Sequence, residues 1–238
     1  MIHEGLCYWS GSGVEKNVER ARELWEKAAA TGSADAAMQI VEFHMQEGNS
    51  GISKAMPWLE AAAEKGHTEA MGMLGDMCMH GVGVKEDHKR GIELCTRAAK
   101  RGHTDSLVTL AHNLLTFGRG VRDNLEALEF LNLAADKLHA TALFMLGSLY
   151  NSGVDGIPKD LQRAAKYYQE SGDLGEPTAY VHLALMHLHE EKLPVDPEKI
   201  KSLLIKPGEE GDPEGYFHLA KFLMKRGEGK RDAISFVK

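Results

Sequence analysis

No stretch of the 238-residue chain approaches the ~18 to 20 consecutive apolar residues that spanning a bilayer requires. No basic segment followed by an apolar one opens it, as a secretory signal would. Basic charge is also scarce: 28 Lys and Arg face 35 Asp and Glu, a net charge of −7. That balance argues against nucleic acid, whose binding draws on clustered cations. The small basic runs, Lys85 to Arg90 and Lys225 to Arg231, read as solvated helix edges. Cysteine occurs three times, as Cys7, Cys78 and Cys95. Cys78 and Cys95 fall at core positions, each as a buried free thiol or together as a disulfide, and three cysteines do not amount to the framework of an oxidising compartment. Sustained alternation of apolar and polar residues is missing, which predicts no sheet. No Ser–His–Asp, Cys–His or paired-carboxylate constellation declares itself. The Gly-x-Gly-Val segments have no preceding strand, third glycine or Lys-Ser/Thr pair, so they read as turns rather than phosphate cradles.

What the chain does have is self-similarity. Ala-Ala-x-x-Gly or a variant closes one segment after another, at Gly32, Gly66, Gly102, Leu138, Gly175 and Gly211. The spacings are 34, 36, 36, 37 and 36 residues. Such a period means one supersecondary unit copied along a line. In the unit His67 to Gly102, Ala70, Leu74, Gly75 and Cys78 occupy offsets 0, +4, +5 and +8, one face of a helix. Later units place Ser106-Leu110-Ala111-Leu114, Ala142-Leu146-Gly147-Tyr150, Ala179-Leu183-Ala184-His187 and Gly215-Leu219-Ala220-Leu223 there. Small residues in this set let helix backbones approach closely. A second helix repeats as Ala21-Leu24-Trp25-Ala28-Ala29, Ala55-Trp58-Leu59-Ala62-Ala63 and Ala127-Phe130-Leu131-Ala134-Ala135. The closing Gly suits the left-handed residue after a helix, so Leu138 predicts a strained or differently closed turn. Asn17, Asp87, Asp123 and Asp160 are predicted helix caps, and Asp196-Pro197 and Asp212-Pro213 pair a cap with Pro at the first helical position.

The composite A-x3-LG-x2-Y-x2-G-x-G-V-x2-D-x2-KA-x2-WY-x-KAA-x2-G resembles the Sel-one-like repeat, a relative of the tetratricopeptide repeat, over essentially the whole chain. The resemblance implies a right-handed all-α solenoid of antiparallel helix pairs and a role as an adaptor in larger assemblies. It also admits a hydrolase-like activity ascribed to disulfide-rich relatives, for which this chain offers no site. Two units depart from the pattern. The second has Val41 for Gly, His44 for Tyr, a shortened loop, and Pro57 in the first turn of its second helix. The fifth full unit has KLPVDP for the loop and Pro207-Gly208 for Ala-Ala, so Pro207 is expected to kink or end its helix and the array's curvature to change near residues 190 to 210. Tyr8 sits at offset +8, and Ala233, Phe236 and Val237 begin a second helix without its closing, so both ends cut through a repeat. Either the end repeats are short and frayed, or the chain is a segment of something longer or capped by partners.

Twelve histidines raise the question of metal. His67, His103 and His139 share one repeat position, roughly 10 Å apart by helix-packing distances, too far to share one ion and suited to starting helices. His182, Met186 and His189 fall at i, i+4 and i+7 of one helix face, the alternative reading being a copper or haem site.

In stacked hairpins the first helices line the concave side. Offsets +2, +6 and +9 point away from the packed face. The +6 row is Glu42, Asp76, His112, Ser148, Leu185 and Lys221; the +9 row is Met45, Met79, Leu115, Asn151, Leu188 and Met224; the +2 row includes Met38, Gly72, Val108, Phe144, Val181 and Phe217. The apolar content of the +2 and +9 rows predicts either an exposed binding groove rich in adaptable methionine or burial within the array. The expected groove is Glu42, Met45, Asp76, Met79, His112, Leu115, Phe144, Ser148, Leu185, Leu188 and Lys221, its acidic-to-basic drift orienting a bound segment.

The resulting expectation is one solenoid over 1–238, with repeats 1–32 (partial), 33–66, 67–102, 103–138, 139–175, 176–211 and 212–238 (partial). Its function is a non-enzymatic scaffold or adaptor, a subunit of or assembly factor for a larger complex. It needs no cofactor, takes a protein, peptide or helix as partner, binds no nucleic acid directly and spans no membrane. Composition (43% apolar, 26% charged) favours a soluble, intracellular or organellar protein over a secreted one.

Overall fold

The computed structural model describes residues 1–189, 197–209 and 212–226. Thirteen helices run through them: α1 (Ile2–Ser10), α2 (Val18–Ala30), α3 (Ala34–Met45), α4 (Asn49–Glu64), α5 (Thr68–His80), α6 (His88–Lys100), α7 (Thr104–Phe117), α8 (Val121–Ala135), α9 (Ala140–Ser152), α10 (Leu161–Asp173), α11 (Pro177–His189), α12 (Pro197–Glu209) and α13 (Pro213–Arg226). Odd numbers are the first helices of the repeats and even numbers the second. No strand occurs among the described residues; one isolated bridge between Val154 and Ile157 closes the turn before α10. The readings placed on Asp196, Gly211, Ala233, Phe236, Val237 and most of the Lys225–Arg231 run lie outside the described residues, as do the side chains of His189 and Met224 and the 190–196 part of the expected curvature change.

The chain forms two compact units, Met1–Leu110 and Ala111 onward, divided inside α7. In the first, α1 packs on α2, α2 on α3, α3 on α4, α4 on α5 and α5 on α6. In the second, each of α8 to α12 packs on its successor, and α11 also touches α13. Neighbour-on-neighbour packing is what a repeated hairpin requires, because one pair cannot bury its apolar face alone.

The offsets that recur in sequence supply the core. Ala70, Leu74 and Cys78 of α5 join Leu59, Ala62, Leu94 and Ala98 in the largest cluster of the first unit. Trp25, Ala21 and Ile40 form a smaller one, which Tyr8 and Trp9 of α1 join. Helix crossings are close where the small residue sits. A Cβ on Gly75 would lie 2.6 Å from the Cys95 sulfur and 3.0 Å from the Gly91 carbonyl oxygen. In the second unit a Cβ on Gly147 would meet the Tyr168 ring at 2.7 Å.

Helix starts follow the short polar residues. Asn17 accepts from Arg20 N (2.9 Å), Asp87 from Arg90 N (3.0 Å), and Asp160 from Gln162 N and Arg163 N (3.1 and 3.0 Å). Asp212 accepts from Glu214 N at 2.9 Å, with Pro213 first in the helix. His67 and His139 cap α5 and α9 through Nδ1, and His103 does the same for Ser106 N, each at 3.3 Å. An imidazole accepting at Nδ1 carries its proton on Nε2, where His67 lies 3.4 Å from Asp35 and His103 3.7 Å from Asp105.

Three expectations need correction. Asp123 is not the cap of α8: the helix starts earlier, at Val121, and Asp123 Oδ2 instead accepts the Arg119 backbone N–H at 2.7 Å. Pro57 is not in a first turn. With the Gly-rich loop shortened, α4 begins at Asn49 and places Pro57 in its interior. Pro207 does not end α12, which continues to Glu209; in the last turn the missing N–H removes little. The Leu138 turn is strained but not differently closed. It alone of the described non-glycine residues has positive φ, 59°, and its N–H reaches Ala135 O at 2.8 Å, as Gly32 N reaches Ala29 O.

Candidate partner-binding surface

Each first helix buries far more than one side. Within α5 the residues at offsets 0, +1, +2, +4, +5, +7, +8 and +9 are all buried, namely Ala70, Met71, Gly72, Leu74, Gly75, Met77, Cys78 and Met79. At about 100° per residue these cover roughly 220° of the circumference. A first helix packs against the second helices before and after it, so the face opposite the 0, +4, +8 line is not free. The surface that remains lies at offsets −1, +3, +6 and +10. In α3 these are Asp35, Gln39, Glu42 and the following Gln46; in α5, Glu69, Met73, Asp76 and His80; in α9, Thr141, Met145, Ser148 and Ser152. None of them is buried.

The expected groove is therefore partly displaced. In the first unit Glu42 is exposed, Asp76 and Met45 are half-buried, and Met79 is in the core at 4% exposure. Met79 is withdrawn from the surface: it packs over Gly91, whose Cβ would fall 2.5 Å from its Cγ. In the second unit His112, Ser148, Leu188 and Lys221 are exposed, and Leu115, Phe144 and Leu185 are half-buried. Glu69, Met73, Asp105 and Thr109 were missed. Their signal was present in the −1 row, which reads Asp35, Glu69, Asp105, Thr141, Thr178 and Glu214, polar in every unit.

Electrostatically the strip is lopsided. From α1 through α11 no first helix contains a Lys or Arg; these residues sit on the second helices and in the turns. The first helices of the N-terminal unit carry Glu4, Asp35, Glu42, Glu69, Asp76 and Asp105, whereas α9 and α11 carry no Asp, Glu, Lys or Arg at all. Partial burial and then the negative charge of Glu69 hold the Glu42 carboxyl above the usual carboxylate range, against a 3.3 Å hydrogen bond donated by Gln39 and the nearby His67. Between α5 and the first half of α7 lies a cavity of about 310 Å³, lined by Glu69, Gly72, Met73, Asp76, His103, Asp105, Ser106 and Thr109. Thr109 Oγ1 donates to Asp76 Oδ1 across it at 3.4 Å. Beside it a wider recess of about 620 Å³ includes Lys65, His67, Arg101 and His103, with the Arg101 guanidinium donating to the Gly66 carbonyl.

The metal alternative does not assemble. The His182 ring packs edge-on to Phe144 (5.0 Å) and tilted on Tyr168 (5.6 Å), and burial holds its pKa below the ordinary histidine value. Met186 is core. Among the described residues no three His, Cys, Asp or Glu side chains are placed to hold a metal ion. Of the two alternatives for Cys78 and Cys95, the structure has free buried thiols. Burial pushes Cys95 up to about 12, and its sulfur lies 3.8 Å from the Gly72 carbonyl oxygen.

The sequence model of the Sel1 repeat matches residues 5–33, 49–67, 68–103, 110–137 and 140–176, well over half of the chain. Most of its gaps coincide with the departures: 34–48 holds Val41 and His44, and the stretch after 176 holds KLPVDP and Pro207. Among solved structures, c5321, a protective antigen of uropathogenic Escherichia coli displaying an SLR fold, is 25% identical, with a TM-score of 0.81 over 96% of this chain. The chain spans 49% of that antigen's length. A Sel1 repeat protein from Oxalobacter formigenes is 26% identical, with a TM-score of 0.76 over 87% of this chain and 83% of its own. The immunity protein Pa5087 of Pseudomonas aeruginosa, 21% identical with a TM-score of 0.52, covers 78% of this chain and 67% of its own and shares the fold.

Proposed function

The chain belongs to the Sel1 repeat family, and on that premise we propose that it is a scaffold that holds a partner protein against the −1, +3, +6 and +10 strip of its first helices. Sel1 repeat proteins are generally protein–protein interaction scaffolds. What carries the specific reading is the strip itself: on the helices that expose it, it is the part of the surface neither taken up by neighbouring helices nor covered by paired Lys and Arg. The second helices look different. They are laced with short-range ion pairs, Arg20–Glu23 at 2.9 Å, Arg22–Glu19 at 2.8 Å and Lys166–Glu170 at 3.7 Å, the pattern of a solvated face. In this reading the protein is a subunit of, or assembly factor for, a larger complex, and the half-buried Met45, Leu115, Phe144 and Leu185 flank the contact. No helix among the described residues is long and apolar enough to cross a membrane, so a partner is met without a membrane-spanning helix from this part of the chain.

A photo-crosslinking amino acid tests the assignment. It is placed at Glu42 or Ser148 on first helices, and at Glu93 or Lys166, both exposed on second helices. The first pair is expected to give discrete crosslinked protein adducts and the second pair few. Equal yields, or adducts only from Glu93 and Lys166, reverse the assignment.

A further inference from the structure

We infer that the first-helix strip of the N-terminal unit takes an extended protein segment bearing Lys or Arg at every third residue. The inference rests on the scaffold reading above and deepens it for one half of the chain.

Three observations converge. The first is sign. Asp35, Glu42, Glu69, Asp76 and Asp105 all lie on the strip, and α1, α3, α5 and α7 contribute no Lys or Arg to balance them. The cationic groups facing the strip are the imidazoles of His67, His80 and His103, which serve as cap or local hydrogen-bond partners. Lys65 and Arg101 stand in the neighbouring turns, and Arg101 is engaged with the Gly66 carbonyl. The second is crowding. Glu42 holds its proton more tightly than an ordinary carboxylate, partly because Glu69 is near, so the strip gains when a cation arrives between them. The third is shape. The 310 Å³ cavity beside Asp76 opens between Glu69 and Asp105, with the Gly72 backbone and Met73 also lining it, which suits the aliphatic stem and charged head of one basic side chain.

Spacing then sets the register. First helices that pack side by side repeat at roughly 10 Å. An extended chain advances about 3.3 Å per residue, so every third side chain meets the next repeat's carboxylates. An acidic segment would meet like charge along the same path, so charge selects the partner as well as attracting it.

The test uses the full chain and fluorescein-labelled 15-residue peptides, (Arg-Ser-Gly)5 and (Glu-Ser-Gly)5, followed by fluorescence anisotropy. The arginine peptide is expected to bind at least about tenfold more tightly than the glutamate peptide, and to weaken about tenfold between 50 and 300 mM NaCl as screening shortens. Glu42→Gln with Asp76→Asn is expected to weaken it about tenfold, at roughly threefold per carboxylate, and Glu69→Gln with Asp105→Asn similarly. Glu93→Gln on α6 is expected to change nothing. Circular dichroism confirms that the variants fold. Equal binding of both peptides, insensitivity to salt, or both double variants binding as the unaltered chain does would overturn the inference. If the Glu42 and Ser148 crosslinks form while the arginine peptide fails, this inference falls and the scaffold reading stands. If those crosslinks fail, the scaffold reading falls on its own.

Discussion

Leu138 holds a backbone conformation, φ 59°, that an L-residue occupies at a cost of about 1–2 kcal/mol, and its side chain is 70% exposed, so little packing offsets that strain. Leu138→Gly is expected to raise stability by about 0.5–1 kcal/mol, the gain being trimmed by the extra freedom glycine has when unfolded. Urea denaturation measures it, and an unchanged or lowered midpoint argues that the leucine side chain contributes more than its exposure suggests. This strain was legible because the position is defined by its equivalents, all glycine. Cys95 makes a second residue-scale prediction. Its thiol is pushed up to about 12 by burial, above its unfolded value near 9. The stability this group supports is intact below about pH 9 and drains away as pH climbs from there toward the folded value, since the unfolded chain gives up the proton first. The unaltered protein should therefore lose roughly 1 kcal/mol more per pH unit across pH 9.5–10.5 than Cys95→Ala does, read from parallel denaturation series; identical slopes would dispose of the claim. Asp123 shows where residue-level reading fails. A short polar residue near a helix start predicts a hydrogen bond to a free N–H, but not which one, and the Arg119 N–H was as reachable as those ahead.

At the scale of the element, the α5–α6 pair depends on Gly75 and Gly91 facing each other. A methyl on Gly75 would press within 2.6 Å of the Cys95 sulfur and 3.1 Å of the Cys95 nitrogen. Part of what it meets is backbone, which cannot rotate aside, so Gly75→Ala is expected to cost about 1–3 kcal/mol. Because each helix leans on its sequence neighbours, the loss should be local. Hydrogen exchange should show protection falling in α5 and α6 while α9 and α10 keep theirs; a uniform fall would mean the pairs are more strongly coupled than their packing indicates. Helix pairing and core were readable from the 0, +4, +5, +8 offsets. The free surface was not. The opposite-face rule assumes one packed side, and α5 has two: Met79 at offset +9 was lost to the core, while Glu69 and Met73 went unnoticed. Pro57 was misplaced for a related reason, since the shortened loop was absorbed by extending α4 rather than by a tighter turn.

For the molecule as a whole, the separation of basic residues from first helices is a property of composition laid onto a repeat. Neither the net charge of −7 nor the period reveals it alone. It emerges only when each charged residue is assigned to its helix: α6 holds Lys89, Arg90, Arg97 and Lys100, while α5 holds none. The acidic end and the uncharged α9 and α11 then differ in what they can attract, so one chain offers two chemically distinct stretches of the same structural strip. The same partition governs how the protein can be handled. Apart from the amino terminus, every primary amine from Met1 to His189 stands on a second helix or a turn. Trypsin therefore has no bond to cleave within any first helix of that span, and coupling the protein to a sensor chip through its lysines tethers it by second helices and turns, leaving the carboxylate strip facing the analyte.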